Sequence, residues 1–499
     1  MSKLERLEPE LAQRLIQERE KDWRKALRRD LSVQQRLAIP RHKMPEQPVS
    51  QRIKNFLEVN LGYTLELARA EAQRCLDCGQ PGCVAGCPVA IDIPTFIKHI
   101  EAGELDRALL KIRETNGLPA ICGRVCPQEV QCEKNCNLVR AGKEPVAIGH
   151  LERFVADYFS RLSDKTSFPA TECSAGKKVA VVGSGPAGLT AAADLARLGY
   201  HVTVFEALHL PGGVLAYGIP EFRLPRTILN SEINFIKSLG VEIKTNFIVG
   251  RTATLEDLKE AGFRAFFLGT GAGLPAFMGV PGENLLGVFS ANEYLTRVNL
   301  MKSFRFPEYD TPVLAARKVA VIGGGNVAMD AVRTALRLGA REATIYYRRS
   351  RAEMPARVEE VKHAEEEGVI FNFLTVPVRF LGDSQGRLRG LLLQKLTLGP
   401  PDSSGRPRPV PVPGSEYEVE ADLAVVAIGQ SPNPLLIKQL LGLKLGRWGN
   451  VEVDWENMGT SLPGIFAGGD AVRGGATVIL AMGDGRKAAR HIDIFLRKC

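Results

Sequence analysis

The chain has ten cysteines, and eight of them are concentrated in one short region near its N-terminus. The first group of four reads Cys75-x2-Cys78-x4-Cys83-x3-Cys87, followed by a proline. The second group reads Cys122-x3-Cys126-x5-Cys132-x3-Cys136. Zinc sites usually pair cysteines at short spacings, whereas a dense run of four that ends in Cys-Pro is typical of iron–sulfur ligation. The spacing therefore favours two [4Fe-4S] clusters over zinc or free thiols.

A glycine-rich turn, GSGPAG, lies between a β-branched apolar run and an alanine-rich helical segment. Gly183 permits a tight turn, Gly185 lets a pyrophosphate approach the backbone, and Gly188 allows close packing of helix on strand. Glu206 ends the second strand, 23 residues after Gly183, where an acid can bind a ribose hydroxyl. The alternative interpretation is a glycine-rich turn that binds no ligand. The complete strand–turn–helix–strand pattern favours a dinucleotide site.

The same pattern returns in GGGNVA, with Gly323 and Gly325 in the first two glycine positions and Ala328 in the third. No acid ends the second strand of this copy. Arg348 and Arg349 stand there instead, and Arg348 follows Gly323 by 25 residues. A cationic fork at this position suits a 2′-phosphate, so the pattern predicts a preference for NADP over NAD. Two exposed arginines on a surface loop are the alternative.

Length and composition set the frame for these motifs. A chain of 499 residues, 45% hydrophobic and 24% charged, is typical of a globular protein with several domains. The N-terminal region has leucines at helical spacing (Leu4, Leu7, Leu11 and Leu15) and is predicted to be all-helical. Residues 161–178 are predicted to be a linker, and the Pro/Gly/Ser-rich residues 398–414 a surface loop insertion.

Charge and hydropathy limit the partners. The net charge of +9 is scattered, with no basic tract, so no nucleic-acid site is expected. The chain has no run of eighteen apolar residues and no apolar signal core, so we expect no membrane partner and a cytoplasmic location. No cysteine occurs from residue 174 to 498, which excludes a disulfide reductase whose redox-active cysteine pair lies in the glycine-rich part of the chain.

The two nucleotide motifs and the closing GGD motif resemble the two-dinucleotide-domain flavoprotein oxidoreductases. A narrower resemblance rests on five longer segments, which are CLDCGQPGCVAGCPVAIDIP, CGRVCPQEVQCEKNC, IGHLERF, YRRSRAEMPAR and AGGDAVRGGATVILAMGDGRKAA. They resemble the small (β) subunit family of NADPH-dependent glutamate synthase, which includes the large subunit of NADH-dependent ferredoxin:NADP oxidoreductase. The N-terminal domain of dihydropyrimidine dehydrogenase is a more distant match.

The resemblance implies an α/β fold: an N-terminal all-helical iron–sulfur domain, then two Rossmann-like dinucleotide-binding domains. The implied domains are 1–170 with two [4Fe-4S] clusters, 171–285 with 425–499 for FAD, and 286–424 for NADP(H). The segment 211–226 would run beside the flavin. The implied cofactor-binding residues, besides those above, are Pro186, Ala187, Gly213, Thr270, Gly271, Asn326, Val327, Gly469, Asp470 and Thr477.

Ligation in this family crosses the two cysteine groups. The resemblance implies one cluster on Cys75, Cys78, Cys83 and Cys136. The second would take Cys87, Cys126, Cys132 and a carboxylate, Glu152, leaving Cys122 as a bystander. The simpler alternative is two all-cysteine clusters, with Glu152 merely on a helix face.

The resemblance also implies a function. The chain would take hydride from NADPH onto FAD and pass electrons through the clusters to a partner subunit, as in glutamate synthase, without a catalytic acid, base or nucleophile of its own. The partner would be the large glutamate synthase subunit, or a smaller flavoprotein plus ferredoxin. In the second case the activity would be an electron-bifurcating ferredoxin:NADP oxidoreductase or a sulfide or polysulfide oxidoreductase. A non-catalytic assembly subunit is the reading from another class, and the intact motifs disfavour it.

Overall fold

The computed structural model describes residues 9–161, 176–402 and 405–498. Nearly all of the predicted linker over 161–178 lies outside these ranges, as do Leu4, Leu7, Cys173 and Cys499. The described N-terminal region carries helices and no named strand. The helices are α1 Pro9–Arg19, α2 Asp22–Asp30, α3 Val33–Ala38, α4 Val49–Arg52, α5 Leu65–Gln73, α6 Gly82–Ala85, α7 Ile93–Ala102, α8 Leu105–Arg113, α9 Pro119–Val125, α10 Asn137–Arg140 and α11 Ile148–Arg161.

Helix α7 shows how local sequence sets these boundaries. The Asp92 side chain accepts a hydrogen bond from the Thr95 backbone N–H (3.3 Å) and caps the helix N-terminus. Pro94 lies in the first turn, where its missing N–H costs nothing. Gly103 ends the helix with a left-handed φ of +80°, so the chain turns directly into α8.

A five-stranded parallel sheet with the order β16-β4-β1-β2-β3 follows the helical region. Its strands are β1 Lys178–Val182, β2 His201–Phe205, β3 Glu242–Lys244, β4 Phe263–Leu268 and β16 Ile465–Ala467. The helices around it are α12 Pro186–Arg197, α13 Val214–Tyr217, α14 Arg226–Ser238, α15 Leu255–Glu260, α19 Pro434–Ile437, α20 Asp470–Arg473 and α21 Val478–Lys498. Four successive residues of β1 are buried, as expected for a parallel strand that is covered on both faces.

A second five-stranded parallel sheet has the order β6-β14-β7-β8-β9. Its strands are β6 Val288–Ser290, β7 Lys318–Ile322, β8 Glu342–Tyr347, β9 Ile370–Phe373 and β14 Leu423–Val426. Its helices are α16 Ala291–Asn299, α17 Asn326–Arg337 and α18 Val358–Glu366. The proposed domain boundary at 424/425 falls inside β14, which pairs with β6 and β7.

An antiparallel sheet extends from the second fold, with strands β10 Thr375–Gly382, β11 Leu388–Pro401, β12 Pro407–Pro411 and β13 Tyr417–Glu420. Strands β11 and β12 form a hairpin in which Leu396 pairs with Pro411 and Leu398 with Pro409. The interpretation of 398–414 as a loop was therefore wrong. Proline lacks an N–H donor but is accepted on an edge strand, and β12 is the last strand in the β10-β11-β12 order. A two-stranded ribbon pairs β5 Leu274–Pro275 with β15 Gln430–Ser431.

The two nucleotide folds are attached to the helical region in different ways. One hydrophobic core joins side chains of the helical region, such as Ile112 and Ile121, to side chains of the first fold, such as Val179 and Leu189. The second fold has a core of its own. None of the helices in the described residues has the length and apolar character needed to span a membrane.

Candidate functional site

A cavity of about 1200 Å³ lies between the two nucleotide folds, and both glycine loops line it. Every cofactor-binding residue predicted from the sequence lines this cavity except Gly188. These residues are Gly183, Gly185, Pro186, Ala187, Glu206, Gly213, Thr270, Gly271, Gly323, Gly325, Asn326, Val327, Arg348, Arg349, Gly469, Asp470 and Thr477. Part of the segment 211–226 also lines it, through Val214, Tyr217 and Ile219 among others.

The first glycine loop has the geometry that a phosphate site requires. Gly183 adopts φ +101°, and a Cβ there would collide with the carbonyl oxygen of Gly269. Helix α12 begins at Pro186 with Gly185 as its N-cap, so its N-terminal N–H groups face the cavity. Gly188 lies behind the loop, where a Cβ would collide with the carbonyl oxygen of Gly183. Its role is therefore the close approach of helix to strand.

Glu206 is buried at the end of β2 and holds the first glycine loop in place. Its Oε2 accepts hydrogen bonds from the backbone N–H of Ser184 (2.9 Å) and from the Ser184 hydroxyl. Its Oε1 accepts from the backbone N–H of Leu208 (2.9 Å). The carboxylate thus orders the loop and also faces the cavity. Ribose binding by Glu206 stays a prediction.

The closing GGD motif meets the first loop from the other side. A Cβ on Gly469 would lie 3.0 Å from the Ala187 side chain, so the two backbones pack closely. Burial raises the pKa of Asp470, whose Oδ1 accepts a hydrogen bond from the Ala476 N–H (3.2 Å). Sequence reasoning missed Asp484, which accepts from the Gly469 N–H (3.0 Å) and is therefore the residue that fixes this turn.

The second glycine loop repeats the first at the start of α17. Gly323 adopts φ +146°, and a Cβ there would collide with the carbonyl oxygen of Ala427. Gly325 is the N-cap of α17. The Asn326 side chain accepts a hydrogen bond from the backbone N–H of Arg357 (2.9 Å) and ties the loop to the segment before α18.

The two arginines after β8 have different surroundings. Arg348 is exposed at the cavity. Arg349 is only 3% exposed, and its guanidinium binds Asp402 (2.6 Å) and the carbonyl oxygen of Pro407 (2.9 Å) on the β11–β12 hairpin. This differs from the predicted two-arginine fork, because Arg349 is bound to the hairpin. Arg406, which sequence reasoning did not single out, also lines the cavity.

Four buried or half-buried thiols form the first set. Burial raises the pKa of Cys83 well above its ordinary value, and the neighbouring thiols Cys75, Cys136 and Cys78 raise it further. Cys78 is likewise close to Cys136. Helices α1 and α2 both contact the loop of this set at Asp77: Arg24 and Arg28 of α2 bind its carboxylate, and Arg19 of α1 donates to its carbonyl oxygen (2.8 Å).

A second set brings together the remaining predicted ligands. Burial raises the pKa of Cys132 well above its ordinary value, with further contributions from the nearby Glu133, Cys87, Cys126 and Glu152. Burial also raises the pKa of Cys87 to about 12, and its neighbours are again Glu152 and Cys126. The structure therefore places Cys136 beside the first run and Cys87 beside the second, so the neighbouring thiols cross the two sequence runs. The ligand set of each cluster stays a prediction.

Glu152 and Cys122 both stand beside this second set. Burial raises the pKa of Glu152 to about 8, and its Oε1 accepts a hydrogen bond from the Asn116 amide (2.6 Å). Cys122 lies against Cys126 and contacts the sulfur of Met482 at 3.4 Å. Ligation by Glu152, with Cys122 as bystander, stays a prediction.

The thiol spacing suits a cluster better than a single metal ion. Among the described residues, only Glu46, Glu359 and His363 bring three ligand atoms within 4.8 Å of one another, and arginines already bind both carboxylates. Within the described part of the chain, no three cysteine sulfur atoms are this close. A tetrahedral zinc site, with Zn–S bonds near 2.3 Å, holds its sulfurs about 3.8 Å apart. Eight thiols in two loose sets fit two larger groups.

The second thiol set adjoins the cavity. Val125 and Pro127, on either side of Cys126, both line the cavity. Met482, in contact with Cys122, is adjacent to Ala481, which also lines it. The first set has no such neighbour in the cavity wall over the described residues. The second thiol set is thus nearer to the cavity than the first.

Comparison with known proteins agrees with this architecture. Residues 52–163 match the family described as dihydropyrimidine dehydrogenase domain II, 4Fe-4S cluster. Residues 177–485 match the pyridine nucleotide-disulphide oxidoreductase family. Among solved structures, Mycobacterium tuberculosis FprA in complex with NADPH is similar in fold, with a TM-score of 0.55 at 20% identity over 65% of this chain and 85% of that chain. The predicted α/β fold class is confirmed.

Two curated relatives are similar over most of this chain. The small chain of NADPH glutamate synthase from Azospirillum brasilense is 37% identical over 91% of this chain and 95% of its own length. The beta subunit of the NADP⁺-dependent formate dehydrogenase from Moorella thermoacetica is 43% identical over 83% of this chain, but this chain spans only 60% of that relative. The chain therefore belongs to the pyridine nucleotide-disulphide oxidoreductase family, in the group that includes the glutamate synthase small chains.

Proposed function

We propose that the chain is an electron-input subunit that oxidises NADPH at FAD and delivers electrons through two [4Fe-4S] clusters to a partner protein. The first glycine loop binds FAD, and the second binds NADPH. The observation that carries the proposal is the single cavity that both loops line and that the second thiol set adjoins. Cofactor sites that adjoin one another are what a chain of electron transfers requires.

The residues of the two folds fit the cofactors assigned to them. FAD, when bound, accepts a hydride from the nicotinamide and releases electrons one at a time, which is chemistry that no side chain can supply. The N-termini of α12 and α17 offer backbone N–H groups to the pyrophosphates. Asp470 and Thr477 line the part of the cavity near the first loop. The protein contributes position, electrostatics and exclusion of water.

The two thiol sets fit ligands for the clusters. Cys87, Cys126, Cys132 and Glu152 would hold the cluster next to the cavity. Thiolates are costly in buried surroundings, as the raised pKa of each of Cys83, Cys87 and Cys132 indicates, and metal coordination removes that cost. A carboxylate ligand adds negative charge and would lower the potential of its cluster.

We propose the large subunit of glutamate synthase as the partner. The similarity to a glutamate synthase small chain extends over 95% of that relative. Nearly the whole of that small chain therefore has a matching segment in this chain. The experiment is anaerobic co-purification from the source cells. A very large partner with glutaminase activity supports this assignment, and a single small flavoprotein with ferredoxin-coupled NADPH oxidation contradicts it.

Iron content tests the cluster assignment. Cys126→Ser should remove about four irons from each chain, since a [4Fe-4S] cluster loses a thiolate ligand. Cys122→Ser is the matched control, a change of the buried thiol four residues earlier on α9, and should retain all the iron. Equal loss in both variants would contradict the crossed ligation with Cys122 as bystander.

A further inference from the structure

The hairpin of β11 and β12 is bound to the second nucleotide fold through Asp402 and Pro407. The Asp402 N–H donates to the Arg406 carbonyl oxygen (2.8 Å), which closes the turn. The Asp402 carboxylate binds the Arg349 guanidinium, and Arg349 also donates to Pro407 O. Because Arg349 is buried just after β8, these contacts hold Asp402 and Pro407 of the hairpin near the end of that strand.

This fastening brings a second cation to the end of β8. Arg406 is the residue whose carbonyl oxygen accepts the Asp402 N–H, and it lines the same cavity as Arg348. In a dinucleotide fold, the end of the second strand is where the adenosine ribose binds. Arg348 directly follows β8, and Arg406 directly precedes Pro407, whose carbonyl oxygen accepts from Arg349 (2.9 Å), so both residues lie near this end of β8. Arg349 serves between them as the attachment point of the hairpin.

We propose that Arg406 is a specificity-determining residue that binds the 2′-phosphate of NADPH together with Arg348. Asp402 is then a positioning residue, acting through its ion pair with Arg349. A phosphate monoester carries nearly two negative charges at neutral pH, and guanidinium groups bind it through paired, charge-assisted hydrogen bonds. The inference rests on the proposed assignment of the second glycine loop to NADPH.

The test compares two small ligands that differ only in the 2′-phosphate, 2′,5′-ADP and 5′-AMP, by equilibrium binding to the flavin-loaded protein. Arg406→Ala should weaken 2′,5′-ADP binding by about tenfold or more, the usual effect of losing a hydrogen bond to a charged group, and leave 5′-AMP binding within about twofold. Arg408→Ala is the matched control, because Arg408 is an exposed arginine on the same hairpin and does not line the cavity. It should change neither value.

A second variant examines the positioning role. Asp402→Asn removes the ion pair to Arg349 and keeps the side-chain shape, so it should reduce the preference for 2′,5′-ADP over 5′-AMP by several-fold, less than Arg406→Ala does. A merely structural role would lower the binding of both ligands together.

The outcomes separate the inference from the assignment on which it rests. A wild-type preference for 2′,5′-ADP that Arg406→Ala leaves intact overturns the inference alone. Equal losses in Arg406→Ala and Arg408→Ala would also overturn it, since they would indicate a general charge effect. A wild-type protein that binds both ligands equally overturns the NADPH assignment as well.

Discussion

The two nucleotide folds have the same strands and turns but differ in what stands behind the glycine loop. In the first fold the Gly183 N–H donates to Phe205 O, and in the second the Gly323 N–H donates to Tyr346 O. The residues that follow, Glu206 and Tyr347, are therefore equivalent. Glu206 accepts hydrogen bonds from Ser184 in its own loop. Tyr347 instead places its ring where a Cβ on the equivalent Gly324 would be.

This difference shows how one fold can take two different ligands. A carboxylate that orders the first loop would repel a 2′-phosphate, because two anions in one buried place are costly. The tyrosine orders the second loop by packing, and its hydroxyl donates to Glu353 O (2.9 Å). The second loop thus keeps the geometry of the first without a carboxylate behind it. The charged side chain at the end of β8 that faces the cavity is then Arg348.

The folds also differ in how they are joined to the thiol-bearing helices. The first shares a hydrophobic core with them. Arg52, fully buried on α4, joins the second by ion pairs to Glu366 (2.6 Å) and Glu367 (3.1 Å). Arg333 and Arg337 bind the same Glu367. The first attachment is non-directional, whereas the second depends on particular charges.

The largest effect is expected at that charged attachment. Arg52→Leu should lower the free energy of unfolding by about 3 kcal/mol, because the loss of one partner leaves buried carboxylates under-compensated. Denaturant unfolding measures it. Arg389→Leu breaks an exposed pair with Glu418 in the antiparallel sheet and is the control; exposed pairs contribute little. Similar, small losses in both variants would mean that the second fold is not held by this network.

The glycine positions should show the next effect. Gly188→Ala places a methyl group against the Gly183 carbonyl oxygen, so it should cost about 2 kcal/mol and release the flavin. The equivalent residue of the second fold is already Ala328, fully buried, and Ala328→Gly should cost about 1 kcal/mol. Flavin content and denaturant unfolding measure both. Flavin retained in full by Gly188→Ala would contradict the assignment of FAD to the first loop.

Glu206 and Tyr347 test the comparison at a smaller scale. A glutamine at 206 directs an NH₂ group at one of the two N–H donors, so Glu206→Gln should weaken flavin retention by about tenfold, or about 1.5 kcal/mol. Tyr347→Phe loses one hydroxyl hydrogen bond and should leave flavin retention unchanged. Dialysis with flavin quantification measures the first effect, and a matching loss in Tyr347→Phe would remove the distinction between the two loops.

The smallest effect concerns acid. His363 at 3.2 Å, with further cations nearby, lowers the pKa of Glu46 to about 2 from an ordinary 4.5. As pH falls below 4.5 the unfolded chain takes up this proton first, so the contribution of Glu46 to stability is present above pH 4.5 and is lost towards pH 2. Glu46→Gln should therefore show a slightly flatter acid dependence of unfolding than the wild type between pH 5 and 3. Identical slopes would contradict the ion pair.

Local patterns in the sequence predict the parts of the site that local geometry controls. Gly183 and Gly323 occupy left-handed backbone after a β-branched run, and that combination is visible in the residue types. Pairings between distant segments are not visible in this way. Arg52 and Glu367 are 315 positions apart. The prolines that suggested a loop over 398–414 instead lie on an edge strand, whose pairing depends on β11. An offset of 25 residues could not show that Tyr347, not Arg348, is the counterpart of Glu206.

Anaerobic titration of the purified chain with NADPH, followed by flavin absorbance and by electron paramagnetic resonance of the iron, tests the central claim most directly. NADPH should bleach the flavin, and the signals of reduced iron–sulfur clusters should follow, while NADH at the same concentration should act much more slowly. Two results would contradict the proposed electron path. One is a flavin that stays oxidised under excess NADPH, and the other is a flavin that NADPH reduces while the clusters stay oxidised.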